Sequence, residues 1–352
     1  LILIFKYILN FMTTYDQKIN KLFYYWLLIS FLMIFTMILV GGLTRLTNSG
    51  LSITQWELFK GVLPPLNNNI WNRYFSLYKE TLQYQLIYSD MTLDEFKVIF
   101  YWEYAHRILG RLIGLFFLIP FIFFYFKSNI NKKYLSICSL ILFLIILQGF
   151  VGWYMVQSGL INNTNVSHYR LSLHLILAFI IISLIFWVLL NIKKNNIKKF
   201  FINEKINYFF YFLIILLFLQ IILGAFVSGL DAGRIYQTWP LMNYSYFPND
   251  VIINTVVDIF NFNDHGLVQF YHRNIAYLII FYILIIGVFI FKSKNRSLIK
   301  SFYLLSFFLT IQIFLGIMTL ISGLNIYLAS SHQICSLLLV LSSINLYYNY
   351  IK

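Results

Sequence analysis

The sequence predicts an all-α integral membrane protein: eight transmembrane helices forming two tandem four-helix bundles related by an internal repeat. Three observations carry this. Of 352 residues, 60% are hydrophobic and only 11% charged, whereas a soluble domain carries roughly 25% charge. Eight stretches reach the ~20 mostly apolar residues that a membrane-crossing helix needs. Motifs in the first four stretches recur in the last four. The net charge of +14 does not imply nucleic acid, because Lys and Arg sit in short clusters between apolar runs, the habit of a membrane protein. Only two cysteines occur, Cys138 and Cys335, both inside apolar runs, so no disulfide framework or cysteine metal site is available.

Residues 1–21 read as an N-terminal tail. Residues 1–11 lack the small-residue cleavage site of a signal peptide and the Arg- and Ser-rich character of a mitochondrial presequence. They are expected either to precede the natural start or to form a short surface segment. The N-terminal half, 22–200, holds apolar stretches at 22–42, 99–126, 134–156 and 169–190. The C-terminal half, 201–352, holds those at 208–230, 267–291, 301–322 and 326–350. Gly and Asn in V-G-G-L-T-R-L-T-N-S-G permit a tight exit from the first span. Trp56, Trp71 and Trp239 in the long connections are expected to anchor at the membrane interface.

Basic residues choose the orientation. Fifteen Lys and Arg fall in the tail from Met12 on, the short connections and the C-terminus. Seven, with nine of the twelve acids, fall on the opposite side. Cations favour the cytoplasmic side, so both termini are expected in the cytoplasm and the long loops, about 43–98 and 231–266, outside. Closed long loops would exclude water from reactive species at the outer leaflet.

The repeat pairs V-G-G-L at 40–43 with V-S-G-L at 227–230, and E-Y-A-H-R at 103–107 with Q-F-Y-H-R at 269–273. It also pairs L-Q-G-F at 147–150 with I-Q-I-F at 311–314, and S-G-L at 158–160 with S-G-L at 322–324. Both copies have the same orientation. Parallel repeats occur in transporters, so the repeat alone selects no function.

Four histidines, His106, His174, His272 and His332, lie near the outer ends of the even-numbered spans. Each has a small residue four positions on: Gly110, Ala178, Ala276 and Ser336. Positions i and i+4 share a helix face, so a flat macrocycle has room beside each imidazole. A lone membrane histidine ordinarily hydrogen-bonds a neighbouring helix. Four at one depth, two per repeat, point instead to paired axial ligation of haem iron, for which imidazole is a standard ligand. Zinc needs three or four converging ligands, and neither half offers them. His168 competes with His174, since it lies as far past S-G-L as His332 does. It sits in polar N-N-T-N-V-S-H, expected as loop, so His174 is preferred. His265, in N-D-H-G, is also expected in a loop.

The halves differ three residues before the first histidine of each: Glu103 in one, Gln269 in the other. An intramembrane carboxylate is costly and by default functional. Near a haem it can relay protons. The structural alternative is an ion pair with Arg107 at i+4, and the two roles are compatible. Arg107, Arg111 and Arg273 lie within spans. Arg107 and Arg273 directly follow their histidines and suit haem propionates, with lipid headgroups or loop contacts as the alternative.

The chain resembles the haem A synthase family from about residue 22 onward. The segments that carry the resemblance are GGLTRLTNSGLSITQW (41–56), FYWEYAHRILGRLIG (100–114), YRLSLHL (169–175), YHRNIAY (271–277) and SHQICSLLLV (331–340). It implies haem b on His272 and His332. It also implies a substrate haem O near His106 and His174, with Glu103 as the functional carboxylate and haem A as product. A porphyrin methyl would be oxidised to a formyl group through successive hydroxylations and loss of water, the oxygen coming from water. Electrons would leave through haem b or an external carrier of unknown identity. One branch of the family has a Cys pair in the first outer loop. This chain has none, and resembles the branch of proteobacteria and mitochondria, with the bacterial inner membrane as the expected location. Implied partners are the farnesyltransferase that makes haem O, oxidase assembly factors, membrane lipid and a further copy in a homo-oligomer. The rival readings are a di-haem b-type electron-transfer protein and a haem carrier. Neither needs a carboxylate in one half only.

Overall fold

In the lipid core every backbone polar group must be satisfied within the chain, which leaves helices or closed barrels as the only spanning structures. The computed structural model describes residues 2–55, 60–127, 130–161, 163–202, 204 and 207–351. Trp56, Lys205 and Lys352 lie outside them. Among the described residues, eight helices are long and apolar enough to cross a membrane. They are α1 (Ile2–Leu46), α4 (Leu93–Lys127), α5 (Lys132–Ile161), α6 (His168–Lys193), α7 (Asn207–Gly229), α8 (His265–Lys292), α9 (Arg296–Ile321) and α10 (Ile326–Tyr350). Two shorter helices, α2 (Asn68–Lys79) and α3 (Leu82–Ile87), lie in the first long connection. Among the described residues no strand forms, and Met242 and Ser245 make one isolated bridge.

The apolar part of α1 is Asn20–Leu46, although the helix continues back through the segment expected as a tail. α4 begins six residues before its apolar stretch because Thr92 and Glu95 form a capping box. The Thr92 backbone N–H donates to Glu95 Oε2 at 2.8 Å, and the Glu95 N–H to Thr92 Oγ1 at 3.3 Å. Such a pair satisfies two otherwise orphaned donors. Pro120, inside α4, has no N–H for the carbonyl one turn earlier. Trp26 Nε1 of α1 donates to that carbonyl, on Phe116, at 3.1 Å.

Helix packing closes two rings. In the first, α1 meets α4, α4 meets α5, α5 meets α6 and α6 meets α1. In the second, α7, α8, α9 and α10 close in the same order. The rings join along α1, α6, α7 and α10. α6 and α7 are the most buried spans and α9 the least. Where the rings meet, Arg45 Nη2 donates to the Ser228 carbonyl at 2.5 Å and lies 3.3 Å from Asp231 Oδ1. It thereby covers free carbonyls at the end of α7. Gln333 Nε2 of α10 donates to the Ile38 carbonyl of α1 at 3.3 Å.

The first long connection has its own core of Ile53, Trp71, Phe75, Tyr78, Phe96 and Phe100. Trp71 is 6% exposed, so it packs this loop domain onto α4 rather than anchoring at an interface. Trp239 is 46% exposed, as an anchor would be.

Candidate functional site

α4 and α6 face one another across the first ring, and α8 and α10 across the second, without packing closely together. These four helices carry His106, His174, His272 and His332. His106 is within electrostatic reach of His174, and His272 of His332. The structure thus brings the predicted imidazoles together in two pairs, each inside one ring.

Every ring of the four packs against a glycine of the preceding span. A Cβ added at Gly41, Gly152, Gly224 or Gly316 would lie 3.0, 3.0, 3.1 or 2.8 Å from Cε1 of His106, His174, His272 or His332 respectively. The last is closer than real Cβ atoms come and the other three are tight enough that the ring would have to give by a few tenths of an ångström, so the backbone of the odd-numbered span fits closely against the imidazole. Sequence reading placed the clearance on the histidine's own helix. At Gly110 that space is bordered by Met37, whose Cε lies 3.4 Å from an added Cβ. The geometry also shifts the sequence register. Gly41 corresponds by its histidine to Gly224, one turn before the V-S-G-L of 227–230.

Three glutamines on the odd-numbered spans were missed in the sequence as site residues, although L-Q-G-F and I-Q-I-F contain two of them. Gln148 Nε2 donates to the His174 carbonyl at 3.0 Å, and Gln220 Nε2 to the His272 carbonyl at 2.9 Å. Gln220 Nε2 also lies 3.4 Å from His272 Nε2, and Gln312 Nε2 lies 3.3 Å from His332 Nε2. The signal is Q-x-x-x-G at 148–152, 220–224 and 312–316, with amide and glycine on one helix face.

Buried polar atoms without partners are rare and call for an explanation. Nδ1 of all four histidines is buried and unpartnered. Paired imidazoles facing across a helical lumen, with glycine backbones beside each ring, fit a flat iron macrocycle held by two axial nitrogens. Among the described residues no three His, Cys, Asp or Glu gather as a zinc site would need.

Glu103 is 3% exposed. Its Oε2 accepts from Ser52 Oγ at 2.7 Å and the Ile53 N–H at 2.8 Å. Its Oε1 accepts from Arg107 Nη2 at 2.6 Å and Nε at 3.0 Å. Arg107 Nη2 also donates to the Ile53 carbonyl at 3.0 Å. The ion pair therefore forms, and it clasps the first long connection to α4. In the second half, Gln269 Nε2 and Arg273 Nη2 both donate to the Tyr236 carbonyl, at 2.9 and 3.0 Å. Ile53 in I-T-Q-W and Tyr236 in Y-Q-T-W thus occupy equivalent places. Arg273 Nη1 donates to the Leu241 carbonyl at 3.2 Å, while its Nε is buried without a partner. Arg111 Nη1 donates to the Gly61 carbonyl at 3.2 Å. All three guanidiniums meet loop carbonyls.

Two minor histidine expectations change. His168 is the first residue of α6 rather than a loop residue. It is 7% exposed and sits on Gly229, where an added Cβ would lie 2.6 Å from His168 Cβ. Its place is the seam between rings, against Phe226, not a histidine pair. His265 is likewise the first residue of α8, after the N-cap Asp264.

The family model described as cytochrome oxidase assembly protein (COX15-CtaA) matches residues 24–344. The Heme A synthase of Pelagibacter ubique (strain HTCC1062) is 54% identical over 323 residues, covering 90% of this chain and 93% of that protein. The Heme A synthase of Rickettsia bellii (strain OSU 85-389) is 41% identical over 320 residues, covering 90% and 94%. That of Wolbachia pipientis (strain wPip) is 41% identical over 316 residues, covering 89% and 93%.

Proposed function

The chain belongs to the haem A synthase family of cytochrome oxidase assembly proteins, and from that premise we propose how its two rings divide the work. It is an enzyme of haem A biosynthesis, oxidising a methyl group of haem O to the formyl group of haem A. The substrate haem lies in the first ring between His106 and His174. The second ring holds a resident haem b on His272 and His332. One difference carries this assignment: a buried carboxylate, Glu103, stands beside the first imidazole pair where neutral Gln269 stands beside the second.

Haem b, when bound, supplies a redox centre for electrons leaving the substrate. The chain's own residues do the rest. His106 and His174 orient the substrate haem. Glu103 lies one turn from His106, where its carboxylate takes up protons released as the methyl group is oxidised. Arg107 holds that carboxylate, and Ser52 and Ile53 tie it to the outer loop. Arg273, with a buried free Nε, suits a propionate of haem b, and Arg107 one of the substrate.

The test is pigment analysis of membranes from cells making haem O and this chain. Haem A should appear. Unchanged haem O bound to the protein would mean a carrier, and haem b alone an electron-transfer protein. The bacterial inner membrane fits both the relatives and the eight apolar helices. The 15 cations on one side against seven on the other favour cytoplasmic termini. Reporter fusions at Lys194 and Asn249 should then report cytoplasmic and external sides respectively, and the same side for both would overturn the orientation. The farnesyltransferase, oxidase assembly factors, an external electron acceptor and a second copy of the chain remain proposed partners.

A further inference from the structure

Three of the four histidines are each contacted, two at the imidazole and one at the backbone carbonyl, by a glutamine one turn before the glycine their ring packs on. Gln148 bonds the carbonyl of His174, Gln220 touches both the carbonyl and ring of His272, and Gln312 touches the ring of His332. The fourth, His106, packs on Gly41, and the residue one turn before Gly41 is Met37. Its thioether end lies against Gly110, one turn after His106. Both histidines of the second ring therefore have an amide, whereas the first ring has one amide and one apolar neighbour.

We infer that Met37 makes His106 the loosely held ligand of the first ring, so that the substrate haem is exchanged at the His106 side while Gln148 keeps His174 in place. This deepens the proposed function and rests on its placement of the substrate haem. An amide on the ring of a ligating histidine restricts and polarises it, one on its carbonyl holds its turn of helix in place, and loss of an outer partner typically weakens a metal site 10–100-fold. A methionine cannot donate a hydrogen bond, so from this side the ring is held by packing alone. A resident cofactor needs two firm ligands, but a substrate that must leave as product needs one that releases. The arrangement of amides matches this division: two in the second ring, one in the first. Gln and Met have nearly the same length and volume, so the exchange is sterically mild in either direction.

The test uses the full-length protein purified in detergent from cells supplying haem O. Two quantities are read: haem O plus haem A per haem b, by extraction and chromatography, and the rate at which that non-b haem passes to an excess of apomyoglobin. Met37→Gln should retain more non-b haem and slow its transfer about tenfold, the lower end of the range for an outer-shell partner. Its KM for haem O should fall together with kcat, because product leaves more slowly. Gln148→Met, the converse change in the same ring, should speed transfer by a similar factor. Haem b content should be unchanged in both. Transfer rates equal to wild type in Met37→Gln overturn the inference. If Met37→Gln does not accumulate, an unchanged rate in Gln148→Met overturns it instead. A wild-type protein that carries no haem beyond haem b would overturn the placement of the substrate itself, a different outcome from a second haem indifferent to residue 37.

Discussion

Replacing His332 by alanine is expected to remove haem b from the purified protein, and His272→Ala to do the same. Each ring has two imidazoles and no third ligand among the described residues, so one deletion leaves a single axial nitrogen and a gap. The reduced low-spin spectrum should vanish, and haem A formation with it if electrons leave through that haem. A large-to-small change among helices could also destabilise the fold, so a second variant separates the causes. Gly316→Ala keeps both ligands but brings a methyl carbon to 2.8 Å from His332 Cε1. The ring must turn or α9 must move. The expected result is a normal protein level with a shifted spectrum or weakened haem b retention. A His332→Ala protein with an unchanged low-spin spectrum would sink the assignment of haem b to the second ring.

The eight spans were legible because length and apolarity alone decide them. The four imidazoles were legible because their spacing repeats. What pairs with them was not. Most of these helices are apolar nearly all round, so no polar face tells which side meets a neighbour. Gly41 and Gly224 become equivalent only when α1 and α7 are set against α4 and α8, and the tetrapeptide match one turn further on misdirects the eye. Trp71 looked like an interface anchor because its burial depends on Phe96 and Phe100 of α4, distant in the sequence. The early start of α4, by contrast, was written in T-L-D-E at 92–95. An apolarity criterion passes over such a signal because the first turns of that helix are polar. The role of Glu103 was half legible. Its pairing with Arg107 follows from i+4 spacing, but its bonds to Ser52 and Ile53 require the first long connection to fold back over α4.

Those loop bonds change what Glu103→Gln should do. A glutamine has one accepting oxygen where the carboxylate uses two, and its amide N–H groups would face either Arg107 or the Ile53 N–H, both donors. Gln269 avoids this conflict in the second half because it and Arg273 donate together to the Tyr236 carbonyl, an arrangement Glu103 does not share. Glu103→Gln therefore leaves a largely buried guanidinium without its counter-charge, and breaking such a pair costs ~3–5 kcal/mol. We expect a reduced protein level, haem b retained on His272 and His332, and haem A per molecule down by about 10²-fold or more, as for loss of a general acid or base. Haem O or a hydroxylated intermediate should accumulate. Arg107→Met separates clasp from chemistry. It breaks the same ion pair and loses the Arg107 bond to the Ile53 carbonyl, but leaves the carboxylate bonded to Ser52 and Ile53. If Glu103 handles protons, Arg107→Met should lower the protein level and raise the KM for haem O through the lost propionate contact, yet keep turnover per molecule at saturating haem O well above that of Glu103→Gln. If Glu103 serves only as the counter-charge of Arg107, the two variants should lose protein and turnover alike. Normal haem A output per molecule of Glu103→Gln would remove the carboxylate from the chemistry altogether.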